Sequence, residues 1–405
     1  MKTKIYSFLL FCAVLLIAQN ANAQNCGGRY HDKNFFSAFT KTTVTYSTPY
    51  SLAMDVYEPT GDTASQRPVI ILAHGGSFLT GSTKTSDTYV VNMCKEFAKR
   101  GYVTASIDYR VASFIAMLDS SQAVQEVLKA ISDGKAAIRY FRKDAATTNT
   151  YRVNPNQIFV GGNSAGAVLY IHVMYLDSTE EAPATFQAVI NANGGFEGNS
   201  GNPGYSSEAV ALINLAGGLN IPEFVGPNSK PSFNAQGDQD ATVPYGCANA
   251  QSNATPVRLC GLGAIESLYN QFGVNHVSIV YPGEGHVPWA TGSNAAAETA
   301  QIDSSVANFL MQFVCSASTG VNEIKETAEI SLFPNPANSE VNIRSSAKVS
   351  MVTVYDNIGQ IVSQNNFENA NGKINTSNFA KGIYQVKVEF ADKNIATVTK
   401  KVVIE

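Results

Sequence analysis

The sequence predicts an α/β protein built on a mostly parallel sheet with helices on both faces, followed by a small all-β sandwich. Between about residues 30 and 315, apolar runs of strand length alternate with segments of helical period, a pattern typical of parallel sheets. Beyond residue 330, short alternating apolar and polar runs are separated by Asn-Gly, Asn-Pro and Lys-Gly turns, as in antiparallel strands. The 405 residues are enough for both modules.

The apolar runs of the first module define its elements. Buried strands are predicted at Val69–Ala73, Val103–Asp108, Ile158–Gly161, Ala188–Asn191 and Val277–Tyr281. Helices are predicted where apolar residues recur at helical spacing, at Val90–Lys99, Val124–Arg142, Ala165–Met174 and Ala297–Phe313.

The first 23 residues have the pattern of an export signal. Lys2 and Lys4 precede the apolar run Phe8–Ala18, and Ala21–Ala23 forms a small-x-small cleavage site. The run is too short to span a bilayer, and no later stretch has the roughly 20 apolar residues that a membrane helix needs. We therefore expect residues 1–23 to be a signal peptide and the chain to have no membrane span.

The remaining chain divides at a change of composition. We expect residues 24–315 to form the α/β module, the small polar residues 316–328 to be a linker, and residues 329–405 to form the all-β module. The net charge of −4 provides no basic surface for nucleic acid or anionic lipid.

The cysteines predict disulfides rather than a metal site. Removal of residues 1–23 leaves five cysteines, and export places them in an oxidising compartment. Cys247 and Cys260 close a short loop and are predicted to pair. One of Cys26, Cys94 and Cys315 is then unpaired. No CxxC motif or Cys/His array is present, which argues against a structural zinc.

The motif Gly162-Asn163-Ser164-Ala165-Gly166 predicts a nucleophile. It follows an apolar strand and opens an apolar helix, the context that a G-x-S-x-G nucleophile elbow requires. A glycine-rich turn that arises by chance after a strand is the alternative. The strand–turn–helix context favours Ser164 as the nucleophile.

A serine hydroxyl needs a base that is oriented by a third group. In proteins with a G-x-S-x-G nucleophile elbow, the acid and then the histidine follow the serine along the chain. Of the three histidines after Ser164, His172 lies two turns into the following helix, and we expect it to point away from the strand tips. His276 precedes the last strand, whereas His286 follows it in a loop at the strand's carboxyl end, which favours His286 as the base.

The acid is predicted at Asp240, in the segment that follows the apolar Phe233. Asp238 in the same segment is the alternative acid. The alternative interpretation of Asp240 is an ordinary turn aspartate with no part in catalysis.

The segment His74-Gly75-Gly76-Ser77-Phe78 follows the strand Val69–Ala73 and is predicted to supply an oxyanion hole. Backbone N–H groups at Gly76 and Ser77 would act together with that of Ala165, the residue after the nucleophile. His74 precedes the nucleophile in sequence, and we interpret it as a structural loop histidine.

Together these motifs resemble the α/β-hydrolase carboxylesterases, including the secreted feruloyl and acetyl-xylan esterase branch. The resemblance covers about residues 40–313 and departs from the common pattern at Ser77, where a third glycine is usual, and at Gln236, where a histidine is usual. It implies an ester substrate, an acyl-enzyme and no cofactor. It also implies a lid within Gly194–Lys230.

The C-terminal module resembles the sorting domain of the Bacteroidota type IX (Por) secretion system. The resemblance is carried by Leu332–Ala337, Val354–Gln360, Phe379–Tyr384 and the basic end at Lys400 and Lys401. It implies the type IX machinery as a partner and a secreted or cell-surface protein. A carbohydrate-binding sandwich is the alternative.

Two other functions remain as alternatives. A serine peptidase of the prolyl-oligopeptidase type shares the triad, although nothing before Val69 is long enough for its propeller domain. A surface adhesion or glycan-binding protein that keeps an inactive hydrolase fold would not need Ser164, Asp240 and His286.

Overall fold

The computed structural model of the protein describes residues 26, 28–79, 87–179, 182–315, 328–356, 360–392, 395 and 397–405. The predicted signal peptide and all but the last residue of the predicted linker lie outside this part of the chain.

The first module contains one large sheet, a small two-stranded sheet and helices. Its strands are β1 (Phe39–Ser47), β2 (Leu52–Pro59), β3 (Arg67–Ala73), β4 (Val103–Ile107), β5 (Val153–Asn163), β6 (Leu212–Leu215), β7 (Ser232–Gly237), β8 (Cys247–Asn249), β9 (Arg258–Cys260) and β10 (His276–Tyr281). Its α-helices are α1 (Thr88–Arg100), α2 (Phe114–Met117), α3 (Ser120–Ala146), α4 (Ala165–Tyr175), α5 (Ala184–Ala192), α6 (Leu262–Phe272), α7 (Pro288–Thr291) and α8 (Ala295–Val314).

The large sheet has eight strands in the order β1-β2-β4-β3-β5-β6-β7-β10. The strands from β4 to β10 pair in parallel, while β1 and β2 form an antiparallel edge. The carboxyl ends of the parallel strands therefore meet at one edge of the sheet, which is where open α/β sheets place their ligand sites.

The central strand β3 shows how the sheet separates two cores. Every residue of β3 is buried, and alternate side chains point to opposite faces. Val69 and Ile71 pack into the core formed with α3 and α4, while Ile70 and Leu72 pack into the core formed with α1 and α8. The continuous apolar run in the sequence thus reflects burial on both faces.

Four of the five predicted strands are confirmed as strands, although Val277–Tyr281 is a half-buried edge strand rather than a buried one. The strand predicted at Ala188–Asn191 is wrong. These residues belong to helix α5. Phe186, Val189 and Ile190 lie at helical spacing and pack on the same core, so the apolar period of the segment is that of a helix. The four predicted helices are confirmed as α1, α3, α4 and α8.

Strand β6 occupies part of the region in which a lid was expected. It pairs in parallel with β5 and β7 inside the sheet. The interval Gly194–Lys230 is therefore not a lid as a whole.

The second module is all-β. It contains β11 (Ile330–Phe333), β12 (Glu340–Ser345), β13 (Val349–Tyr355), β14 (Ile361–Asn366), β15 (Asn371–Asn375), β16 (Gly382–Phe390) and β17 (Val398–Ile404). They form a three-stranded sheet, β11-β12-β15, and a four-stranded sheet, β14-β13-β16-β17, with antiparallel pairing throughout. Alternate residues of both sheets share one apolar core, as the alternating sequence predicts.

The predicted disulfide between Cys247 and Cys260 is confirmed, and it joins the ends of β8 and β9. Cys26 pairs with Cys315, and Cys94 is the buried free thiol. The Cys26–Cys315 bond connects the two ends of the α/β module.

A truncated chain from Gln24 to about Thr319 should be soluble and keep the full catalytic activity that the sequence predicts. It retains Cys26, Cys315 and helix α8, which covers one face of the sheet. Comparison of its activity and thermal unfolding with those of the full chain checks the predicted boundary. A truncated chain that folds but has lost its activity would show that the second module takes part in the reaction.

Candidate active site

Ser164 lies on the sharp turn between β5 and α4. Its backbone has φ 54° and ψ −117°, a conformation that an L-residue adopts only under strain. Its N–H donates to the Leu215 carbonyl oxygen of β6 at 2.8 Å. The turn places the Ser164 hydroxyl at the carboxyl end of the parallel strands.

The glycines that flank Ser164 are required by close packing between α4 and β3. A Cβ atom on Gly162 would lie 2.6 Å from the Ala73 carbonyl oxygen, and a Cβ atom on Gly166 would overlap the same oxygen. A side chain at either position would push α4 away from β3.

His286 lies between Ser164 and Asp240. Its Nε2 is 2.8 Å from Ser164 Oγ, and its Nδ1 is 2.7 Å from Asp240 Oδ2. His286 lies in the loop after β10 and Asp240 in the loop after β7, and these two strands are parallel neighbours in the sheet. When Nδ1 donates its proton to the carboxylate, Nε2 can accept the serine proton, which is the tautomer that a general base requires.

Asp240 is held by backbone and side-chain donors. Its side chain has no exposed surface, and Oδ1 accepts from the N–H groups of Thr242 at 2.9 Å and Val243 at 3.0 Å. Gln236 donates through Nε2 to Asp240 Oδ2 at 3.1 Å and to the Val243 carbonyl oxygen at 2.7 Å. Gln236, which stands where similar carboxylesterases usually have a histidine, thus donates directly to the Asp240 carboxylate.

The alternative residues lie elsewhere. Asp238 is half-buried, and its Oδ1 accepts from the Gly283 N–H at 2.8 Å. His276 begins β10 at the opposite end of the sheet, and its Nδ1 donates to the Val274 carbonyl oxygen at 2.8 Å. No hydrogen bond among the described residues joins either of them to Ser164 or His286.

The predicted oxyanion residues follow β3 in a loop of left-handed backbone. Gly76, Ser77 and Phe78 have φ values of 115°, 56° and 59°. Gly76 and Ser77 line the same open cleft as Ser164, and Ala165 begins α4 beside it. The preceding Gly75 donates its N–H to Asp87 Oδ2 at 2.9 Å.

Asp87 connects this loop to the turn that carries Ser164, a role that was not predicted from the sequence. Its Oδ2 also accepts from Asn163 Nδ2 at 3.0 Å, and its Oδ1 caps α1 by accepting from the Val90 N–H at 3.2 Å. Trp289 donates through Nε1 to Asn163 Oδ1 at 3.3 Å. The one signal for Asp87 in the sequence was its place just before a helix.

His74 packs inside the loop and does not contact Ser164 through any hydrogen bond within the described residues. It is buried, its ring stacks on Tyr109 with centroids 4.4 Å apart, and its Nδ1 donates to the Gly75 carbonyl oxygen at 2.6 Å. Burial lowers the pKa of His74, which favours the neutral ring.

The segment closed by the Cys247–Cys260 disulfide contacts two loops, the one that carries Asp240 and the one that carries Ser77. Gln251 donates through Nε2 to Ser77 Oγ at 2.7 Å. The N–H groups of Gln251 and Ser252 donate to the carbonyl oxygens of Thr242 at 2.8 Å and Ala241 at 2.7 Å. The disulfide-closed segment therefore joins the loop that carries Asp240 to the loop that carries Ser77.

We expect Cys247→Ser combined with Cys260→Ser to lower thermal stability and to shift the preference between small and bulky acyl groups. On the chain-entropy model, a disulfide that closes a loop of this length adds roughly 3 kcal/mol to the free energy of unfolding. Thermal unfolding and kcat/KM ratios for small and bulky esters measure the two effects. The pair Cys26→Ser with Cys315→Ser is the control, because it should lower stability without changing the acyl preference. Peptide mapping that paired Cys247 with another cysteine would contradict the argument.

Two spaces meet at Ser164. One is an apolar cavity of about 90 Å³ bounded by α2, α3, α4 and the disulfide-closed segment. The other is an open cleft of about 630 Å³ with more polar walls, and it includes His286, Asp87 and Asn92. A substrate with two different halves can therefore place one half on each side of the serine.

His172, which was expected to point away from the strand tips, lies on the wall of the apolar cavity. Its Nδ1 donates to the Val168 carbonyl oxygen at 2.7 Å, and its Nε2 accepts from the Asn220 N–H at 3.2 Å. Both ring nitrogens are thus engaged inside the protein, and His172 forms part of the wall.

Within the described residues, no group of His, Cys, Asp and Glu side chains is arranged to hold a metal ion. None of the helices in this described part of the chain is both long and apolar enough to cross a bilayer.

Two family models match the chain. The model described as BD-FAE matches residues 54–202, which include Ser164, Gly76 and Ser77. The model described as a secretion system C-terminal sorting domain matches residues 331–405.

The chain is also similar to known hydrolases. It is 30% identical over 126 residues to an AB hydrolase superfamily protein of Schizosaccharomyces pombe, covering 30% of this chain and 31% of that protein. It is 29% identical over 119 residues to carboxylesterase 3B of Mus musculus, covering 29% of this chain and 19% of that protein. The chain thus spans less than two thirds of the length of either relative.

Solved esterase structures share its architecture. The apo form of Thermogutta terrifontis esterase 2 aligns with a TM-score of 0.51 and 20% identity, covering 68% of this chain and 96% of that one. The propionate-bound form aligns with a TM-score of 0.50 and 19% identity, covering 69% and 97%. The first module therefore has the α/β-hydrolase fold of these esterases, and the chain ends in a sequence that matches a secretion system sorting domain.

Proposed function

We propose that the protein is a secreted serine hydrolase that cleaves carboxylic esters through an acyl-enzyme. The observation that carries this proposal is the continuous contact from Asp240 through His286 to Ser164 at the carboxyl edge of the sheet. The hydrolase and esterase relatives support the same class of reaction.

In the proposed reaction, Ser164 Oγ attacks the ester carbonyl carbon while its proton passes to His286 Nε2. Asp240 stabilises the imidazolium through Nδ1. Backbone N–H groups of Gly76, Ser77 and Ala165 would bind the oxyanion of the tetrahedral intermediate. The bond to the alcohol oxygen then breaks, and the alcohol leaves with the proton from His286.

Water completes the cycle. His286 takes a proton from a water molecule, whose oxygen attacks the acyl-enzyme carbonyl carbon. The bond to Ser164 Oγ breaks, Ser164 recovers a proton from His286, and the carboxylic acid leaves. These steps need only the side chains and amides of the chain itself.

For the natural substrate we propose an ester of the extracellular environment, such as a plant cell-wall ester, a lipid or a polyester. The match of residues 331–405 to a sorting domain and the predicted signal peptide support export through the type IX machinery to the surface or medium.

Hydrolysis of p-nitrophenyl acetate by the full chain tests the reaction class. We expect steady-state turnover that is absent from the Ser164→Ala variant. A peptide p-nitroanilide tests the peptidase alternative and should be cleaved far more slowly. Absence of turnover on both substrates would favour a binding protein with an inactive hydrolase fold.

A further inference from the structure

One face of α4 leads from Ser164 into the apolar cavity. The residues of this helix that line the cavity are Ala165, Val168 and His172, and Leu176 follows at the helix end. Their spacing places them in one stripe along the helix. With a rise of about 1.5 Å per residue, the stripe from Ala165 to His172 is roughly 10 Å long.

A second wall of the cavity is a hydrocarbon surface. It is formed mainly by one face of α3, and Met117 of α2 lies beside it. The α3 residues recur at helical spacing and are Ala123, Val124, Val127, Leu128 and Ile131. Phe186 and Phe224 also line the cavity, and the Phe224 ring packs against the edge of the His172 ring with centroids 6.3 Å apart.

The polar groups deep in the wall already have partners. His172 is bonded through both ring nitrogens, Asn220 donates through Nδ2 to the Arg258 carbonyl oxygen at 2.9 Å, and Thr255 donates to the Ala250 carbonyl oxygen at 3.3 Å. Burial lowers the pKa of His172 to about 4, so this wall is uncharged at neutral pH. A polar end group that entered the cavity would give up its bonds to water among walls that are almost entirely apolar.

We propose that this cavity binds the acyl half of the ester, and that this half is a hydrocarbon chain of medium length without a polar end. The cavity volume is about 90 Å³. The α4 wall from Ala165 to His172 is roughly 10 Å long, which suits an acyl chain of medium length. The alcohol half lies in the open cleft beside His286. The inference rests on the proposed ester hydrolysis and adds the class of acyl group.

The first experiment is a series of p-nitrophenyl esters from acetate to dodecanoate, hydrolysed by the full chain. Each buried methylene should raise kcat/KM by up to roughly fourfold. We expect a rise from acetate to hexanoate and octanoate, and a loss of that gain at dodecanoate. A profile that is flat or falls from acetate onward would overturn the inference.

The second experiment compares methyl octanoate with methyl 4-hydroxycinnamate, which have the same alcohol and different acyl ends. Because the phenolic hydroxyl would be buried among mainly apolar side chains, octanoate should be preferred by roughly tenfold or more in kcat/KM. Equal or faster hydrolysis of the hydroxycinnamate would contradict the inference.

The third experiment changes the cavity itself. Val168→Phe fills it one helical turn from Ala165 and should lower the octanoate-to-acetate ratio of kcat/KM by roughly tenfold or more. Val173→Phe is the matched control, because Val173 lies on the same helix but outside this cavity. The octanoate-to-acetate ratio of kcat/KM for Val173→Phe should equal that of the unaltered protein. If Val168→Phe does not fold, Val168→Ala should move the optimum to longer chains instead.

The two proposals fail in different ways. Ester hydrolysis that depends on Ser164 but shows no preference for a hydrocarbon acyl chain would overturn only the cavity assignment. Hydrolysis that persists in Ser164→Ala would overturn the proposed function itself.

Discussion

Replacement of Ser164 by alanine is expected to lower ester hydrolysis by on the order of 10³-fold or more, because only the oxyanion and binding contributions would remain. The fold should be retained. Alanine keeps the Cβ atom of serine, so the strained backbone at φ 54° is no worse in the variant. Steady-state kinetics and thermal unfolding measure the two effects.

Ser207→Ala is a suitable control. Ser207 is also a buried serine, but its hydroxyl donates to Glu197 Oε1 at 2.9 Å, and it lines neither of the two spaces at Ser164. The control should keep its turnover. Retention of most activity in Ser164→Ala would refute the assignment of the nucleophile.

Asp240→Asn should lower kcat by on the order of 10³–10⁴-fold, whereas Asp238→Asn should have a small effect. Asp240 contacts His286 Nδ1, and an amide at this position cannot stabilise the imidazolium as a carboxylate does. Asp238 instead accepts from the Gly283 N–H. The pair is well matched, since both substitutions exchange a carboxylate for an amide in the same loop.

The measurement is kcat for both variants on one p-nitrophenyl ester, with thermal unfolding as a check on folding. Equal and mild losses in the two variants would mean that the group that orients His286 is neither carboxylate.

The residues brought together at Ser164 could be predicted because each follows a strand of the parallel sheet. The motif at Ser164 fixes a turn after β5, and Asp240 and His286 follow β7 and β10. Parallel strands bring their carboxyl ends to one edge, so order along the chain was enough to place the three side chains near one another.

The walls around the site could not be predicted in the same way. The bond from Gln251 to Ser77 joins residues 174 positions apart, and nothing local signals it. The cavity faces of α3 and α4 are apolar like the rest of the core, so the sequence does not distinguish a cavity wall from a packed interface. The error at Ala188–Asn191 arose because a short apolar run fits a strand or a helix equally well.

The most direct test of the central claim is covalent labelling of the full chain with diisopropyl fluorophosphate, followed by mass spectrometry. An activated Ser164 should displace fluoride and form a bond from Oγ to phosphorus. The account predicts one adduct per chain, located on the peptide that contains Ser164, with loss of ester hydrolysis in proportion to labelling and no adduct in Ser164→Ala. An adduct on a different residue, or full turnover by fully labelled protein, would contradict it.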